Sequence, residues 1–198
     1  MPLNFPNITP SNENFRLLTR SQSYDSSFNG VEQVAELPGS KWSAVLTFAN
    51  LTKSEVFALR GFLAALRGKA GDFFLTPIDA LSPISSPSGS PYVSGAGQTG
   101  GELVTEGWGN NQTVRYAGEY FEVNGELKMV TEDCMSDGSG AATLKFSPNL
   151  HQSPSNSAPI EYAAPKATMR LANDSQAQWQ AEAAEVYAVS FNCIEVIA

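Results

Sequence analysis

One segment limits the fold more than any other. Residues 52–67 read as a helix, and they are the only stretch of the chain that reads so clearly. Thr52 followed by Glu55 makes a capping box, in which side chains satisfy two orphan backbone donors at the helix start. Val56, Leu59, Phe62, Leu63 and Leu66 then recur at helical spacing and form one apolar stripe. Gly68 follows the last periodic residue, where a left-handed cap is expected. Arg60, Arg67 and Lys69 lie towards the negative end of the helix dipole. A single helix with one apolar stripe has to bury that stripe on something else. The rest of the chain offers short alternating segments punctuated by turns, so the stripe is expected to pack on a sheet.

The first strand of that sheet is Lys41 to Ala49. Trp42, Ala44, Leu46 and Phe48 fall on one face at period two, after a Leu37-Pro38-Gly39-Ser40 turn signal. Residues 31–36 are a further strand candidate, and residues 3–20 read as an entry segment with a short strand. Residues 71–78 form a short apolar strand. Residues 79–101 are rich in Ser, Pro and Gly and read as a long loop or linker. Five short strands follow at 102–106, 112–116, 119–123, 126–132 and 141–146. Asn124-Gly125 between two of them is a hairpin signal, because both residues tolerate positive φ. Such spacing fits a small OB-like or SH3-like β-barrel. Residues 147–161 read as another polar connection, 162–171 as strand-like, and 176–185 as ambiguous between helix and strand. Residues 185–197 form a long strand with no clean solvent face.

Charge divides the chain in the same places. Lys and Arg number 12 and Asp and Glu 20, for a net charge of −8. Residues 1–75 carry +1, residues 76–161 carry −7 and residues 162–198 carry −2. The expected organisation is therefore α+β and mostly β. Residues 1–76 together with 162–198 form a β-sandwich-like core domain with one packed helix. Residues 77–161 form an inserted small OB-like β-barrel with Ser/Pro/Gly-rich connections. Only 16% of residues are charged, against about 25% in an ordinary globular protein. The acidic balance argues against a protein that grips nucleic acid or an anionic membrane by charge. No run approaches the ~18 apolar residues of a spanning helix, and the first twenty residues carry no secretory signal pattern. Synthesis in the cytoplasm is the expectation.

Motifs for chemistry are sparse. There is no P-loop, GxGxxG, GxSxG or HExxH. His151 is the only histidine and lies in a polar, Pro-rich loop, which disfavours a Ser-His-Asp triad and leaves a two-histidine metal site without a second ligand. Glu132-Asp133 with Asp137-Gly138-Ser139-Gly140 lacks the ligand spacing of an EF-hand and reads as an acidic turn. No catalytic, metal-binding or cofactor-binding residue is expected. Cys134 and Cys193 have no CxxC context and read as buried free thiols. Trp108, Tyr116, Tyr120 and Phe121 are candidates for a surface that stacks on sugars, with alternation into the barrel core as the competing assignment. Of these, Trp108, Tyr116 and Tyr120 are the candidate contact residues.

Two stretches carry a family resemblance. KWSAVLTFANLTKSEVFALRGFLAALRGKAGDFFLTP, residues 41–77, is similar to the N-terminal core of tail proteins of long-tailed, siphovirus-type phages and prophages. In that family a Trp-bearing strand leads into a helix and then a Gly-Lys/Arg-x-Gly-x-Phe segment. Residues 118–174, from GEYFEVNGELKMV to PKATMRLAND, resemble the later blocks of the same proteins. Together they cover about half the chain. The resemblance implies a distal tail protein, some of which carry an inserted OB-like barrel. Its implied partners are further copies of itself in a homohexamer, the tail tube protein, and tail hub, baseplate or fibre proteins. DNA would pass through the ring without specific binding, past a lumen expected to be acidic. The implied location is the virion tail tip. The chain lacks the large carbohydrate-binding insertion that some such proteins carry. The alternatives are a soluble carbohydrate-binding module and another tail tube or terminator component.

Overall fold

The computed structural model describes residues 1–176, 179–181 and 187–197. In chain order the strands begin with β1 (Leu3–Asn4), β2 (Asn12–Leu18), β3 (Ser21–Asp25), β4 (Glu32–Glu36) and β5 (Lys41–Phe48). Helix α1 (Lys53–Leu66) follows, then β6 (Asp72–Leu75), β7 (Gly89–Val93), β8 (Glu102–Trp108), β9 (Thr113–Arg115) and β10 (Tyr120–Val123). The chain closes with β11 (Glu126–Val130), β12 (Cys134–Met135), β13 (Ala142–Ser147), β14 (Ile160–Glu161), β15 (Ala167–Leu171), β16 (Trp179–Ala181) and β17 (Tyr187–Glu195). The fold is α+β and mostly β, with α1 the one α-helix among the described residues.

A seven-stranded sheet takes its strands from both ends of the chain. Its order is β1-β6-β15-β17-β5-β2, with β16 pairing the other end of β17. One face is apolar by strict alternation: Trp42, Ala44, Leu46 and Phe48 lie beside Val189, Phe191 and Cys193 in register. The α1 stripe packs there, and Phe5 from the entry segment meets Phe62 and Phe73 edge-on or tilted. The cap geometry of α1 is as the sequence predicts at its start: Thr52 and Glu55 form the reciprocal box. At its end Arg67, not Gly68, takes the left-handed cap position at φ 53°, and Gly68 continues at φ 67°.

The strand over 185–197 does have a solvent face. Ala188, Ser190 and Asn192 are exposed while Val189, Phe191, Cys193 and Glu195 are buried. Glu195 misleads the sequence reading, because a carboxylate sits at a core position. Of the ambiguous segment 176–185, Trp179–Ala181 is a strand on β17; residues 177–178 and 182–185 lie outside the described residues.

A second sheet is barrel-like. Its order is β14-β10-β11-β13-β8-β7, all antiparallel, and β7 returns to β14 through a Tyr92–Pro159 bridge. Val93, Leu103, Val114, Phe121, Val123, Leu144 and Phe146 are among the side chains that fill it. Asn124 (φ 53°) and Gly125 (φ 78°) make the hairpin turn between β10 and β11. Residues 79–101, expected as a linker, contribute β7. That strand was hidden because it is short and glycine-dependent: Gly89 sits at φ 111°, and a Cβ there would lie 2.2 Å from the Gly107 carbonyl oxygen. The 147–161 connection likewise contains β14. Residues 112–116 do form a strand, but it pairs with β12 in a separate ribbon.

The two sheets share a core. Leu127 on β11 belongs to the same cluster as Trp42, and Tyr120 and Met129 pack against it. The Trp42 indole donates to the Leu127 carbonyl at 2.9 Å. The barrel thus covers one end of the apolar sheet face and the helix covers the other.

The fourth element is a two-stranded ribbon. Among the described residues β3 and β4 pair only with each other, and they continue the β2–β5 ladder outward through a backbone hydrogen bond from Leu37 N to the Arg20 carbonyl.

Candidate functional site

The three aromatic candidates are placed on different surfaces. Trp108 is 4% exposed, donates its indole N–H to Thr105 Oγ1 at 2.8 Å and packs on Tyr162 inside the barrel. Tyr120 faces the other core, edge-on to Phe15 and Trp42. Burial there pushes its hydroxyl up to about 12. Only Tyr116 is exposed. Phe121 is buried against Phe146. The structure does not bring these rings into one exposed stacking surface. Trp108 on β8 and Phe121 on β10 point into the barrel, and Tyr120, on the opposite face of β10, points to the sheet core.

The acidic groups of the middle segment have a structural use that composition does not reveal. Six of its ten carboxylates accept backbone N–H groups in loops. Glu126 takes His151 N and Gln152 N, Glu122 takes Lys166 N, and Glu161 takes Ala163 N and Ala164 N. Asp137 accepts from Ser139 N, Ser139 Oγ and Ala141 N, so its own turn occupies it. These bonds hold polar loops that have few apolar groups to bury. The segment's three basic groups are engaged as well: Arg115 and Lys128 are buried, and Lys145 pairs with Glu132 at 2.9 Å.

Two buried ionic clusters follow. Arg115 donates to Ser85 Oγ at 2.8 Å and to the Tyr162 carbonyl, and it lies over the Tyr162 ring. Glu119 Oε2 accepts from Ser85 Oγ at 2.5 Å. Burial raises the Glu119 carboxyl, but hydrogen bonds from Ser85 and Tyr116 and the Arg115 charge outweigh it and leave it below the usual range. The second cluster lies where the sheets meet. Lys128 Nζ bonds Glu126 Oε2 at 2.7 Å and the Asn149 carbonyl at 2.9 Å. Glu195 Oε2 accepts from Trp42 N at 2.9 Å, and burial pushes its carboxyl up to about 7. Burial and Lys128 together hold the His151 imidazole below its ordinary value. These groups tie β5, β11, β17 and the 149–152 loop together.

His151 therefore sits at a structural junction, with no nucleophile among its described partners. Both cysteines are buried free thiols, and burial pushes Cys193 up to about 12. No group of three or more His, Cys, Asp or Glu side chains placed to hold a metal occurs among the described residues. No described helix is long and apolar enough to cross a membrane.

Among the described residues the ribbon remains unpartnered. Every residue of β3 and β4 is exposed. Tyr24, Phe28, Val31 and Val34 project from it, with Phe28 at 101% and Val34 at 64% exposure. An isolated two-stranded hairpin is marginal in water, and both of its edges are open to pairing. Sequence reasoning found β4 but missed β3, whose residues Ser-Gln-Ser-Tyr-Asp are too polar to register as a strand. The one local signal was the Phe28-Asn29-Gly30 turn ahead of the β4 candidate. This arm, residues 21–36, is the candidate functional site: an exposed ribbon with strand edges open to another chain. No family model matches the chain, and no curated protein matches it either.

Proposed function

We propose that this chain is a structural protein of a phage tail. It forms a ring at the distal end of the tail tube, joins the tube to the hub, baseplate or fibres, and lets DNA pass. The observation that carries this reading is the arm. Its exposed apolar side chains and open strand edges suit insertion into a neighbouring subunit, and head-to-tail contacts of that kind close into rings when the rotation permits.

Two further observations support it. The chain resembles distal tail proteins over residues 41–77 and 118–174. The basic groups of the barrel are buried or paired, so phosphates passing nearby would find few cations to hold them. The carbohydrate-binding alternative draws nothing from Trp108, which is buried.

Native mass spectrometry of the purified chain, alone and mixed with the tail tube protein, tests the reading. A six-fold species in either sample is the expected result. A strict monomer in both contradicts it.

A further inference from the structure

The arm needs a seat, and its charge narrows where that seat is. Residues 21–36 contain Asp25, Glu32 and Glu36 and no basic group, a net of −3. Asp25 and Glu32 are direct cross-strand partners, a like-charge pair that destabilises a hairpin standing alone. By the strand register, Asp25, Glu32, Val34 and Glu36 share one face of the ribbon. That face has an apolar centre and an acidic border.

The outward face of α1 has the opposite character. Phe57 is 57% exposed at its centre, and Ala58, Gly61, Ala64 and Ala65 around it are exposed too. A surface helix ordinarily turns polar residues outward. Arg67 and Lys69 follow the last turn of α1 and are both exposed, whereas Arg60 is turned over the Tyr187 ring. Gly61 gives a separate indication. It lies mid-helix with ordinary backbone angles, and a Cβ there would meet nothing within 4 Å. Glycine at such a position is less favourable than alanine, and nothing among the described residues of the subunit requires it. Close approach of another chain's backbone would.

We infer that the outward face of α1 is the seat for the arm of a second copy of this chain. Val34 packs by Phe57, the ribbon backbone crosses at Gly61, and the arm's carboxylates meet the basic residues at the helix end. The two surfaces are different patches on each subunit, which is the arrangement a head-to-tail ring needs. The inference rests on the ring reading for the identity of the partner.

Charge exchange in the full chain tests it, with assembly followed by light scattering at low salt. The arm variant is Glu32→Lys with Glu36→Lys, and the helix variant is Arg67→Glu with Lys69→Glu. Each alone is expected to weaken self-association at least about tenfold, and the two combined in one chain to recover most of it. Gly61→Leu, on an exposed helix face, is expected to keep the far-ultraviolet circular dichroism and lose assembly. If assembly survives both reversals and Gly61→Leu, the arm docks elsewhere and the inference falls, while the ring reading stands. Loss in both reversals without recovery in the combination also overturns it. A chain that is monomeric in every form, with and without the tube protein, overturns the ring reading and the inference together.

Discussion

The indole nitrogen of Trp42 donates to the backbone carbonyl of Leu127 at 2.9 Å, and with that bond the seven-stranded sheet holds the barrel. The two residues are 85 positions apart and lie in one apolar cluster. Substituting Trp42→Phe removes the donor and leaves a buried carbonyl unsatisfied. It should cost about 1–3 kcal/mol in urea unfolding, with the larger part of the loss coming from contact between the sheets. An unchanged midpoint would mean that the junction carries no stability.

Glu195 gives that junction a pH dependence. Its folded pKa of about 7 lies above the unfolded carboxylate value of 4.5, so the native state holds a proton more tightly. The contribution is fully present below the unfolded pKa. It declines as pH rises from about 4.5 to 7 and is lost above. His151, its imidazole held below the ordinary value by burial and Lys128, acts in the opposite sense as pH falls. The difference in stability between wild type and Glu195→Gln isolates the carboxylate. It should shift against wild type by about 2–3 kcal/mol from pH 4.5 to 7.5, read by chemical denaturation at each pH. A pH-independent difference would show that Glu195 titrates normally.

Arg115 is enclosed, with Ser85, Glu119 and Tyr162 as partners. Arg115→Leu leaves Glu119 buried without its cation and should destabilise the chain by about 3–5 kcal/mol. Replacing Arg115 and Glu119 together by apolar residues should recover part of the loss. A double-mutant cycle with no coupling would contradict the pairing.

The thiols should be inert in the folded chain. Burial raises both Cys134 and Cys193, so little thiolate is present near neutral pH and access is blocked. Alkylation followed by mass spectrometry should label neither in native buffer and both in urea.

Much of this architecture was legible from residue patterns. Thr52 and Glu55, the α1 stripe, the Trp42 strand and the Asn124-Gly125 turn each follow from local chemistry and stand where expected. What was not legible depended on distant partners. β7 is made a strand by the close approach of Gly89 to Gly107, and Glu195 is a core residue only because Trp42 N and the Lys128 charge meet it. The acidity of the middle segment read as a field for repelling DNA. Six of those ten carboxylates also fasten loop amides, as Glu126 does for His151 and Gln152, and that use is not visible in composition. The arm was half visible, because β3 buries nothing and so leaves no apolar pattern to read.

Residues 21–36 are proposed to join one copy to the next. Arg20 and Leu37 are already bonded, so an Asn-Gly turn can replace residues 21–36 without straining the β2–β5 ladder. Light scattering across a concentration series, on the full chain and on this shortened one, each alone and mixed with the tail tube protein, is the direct test. A six-fold assembly is expected for the full chain and a folded monomer of unchanged helix and strand content for the shortened chain. A shortened chain that assembles as the full one does would contradict it.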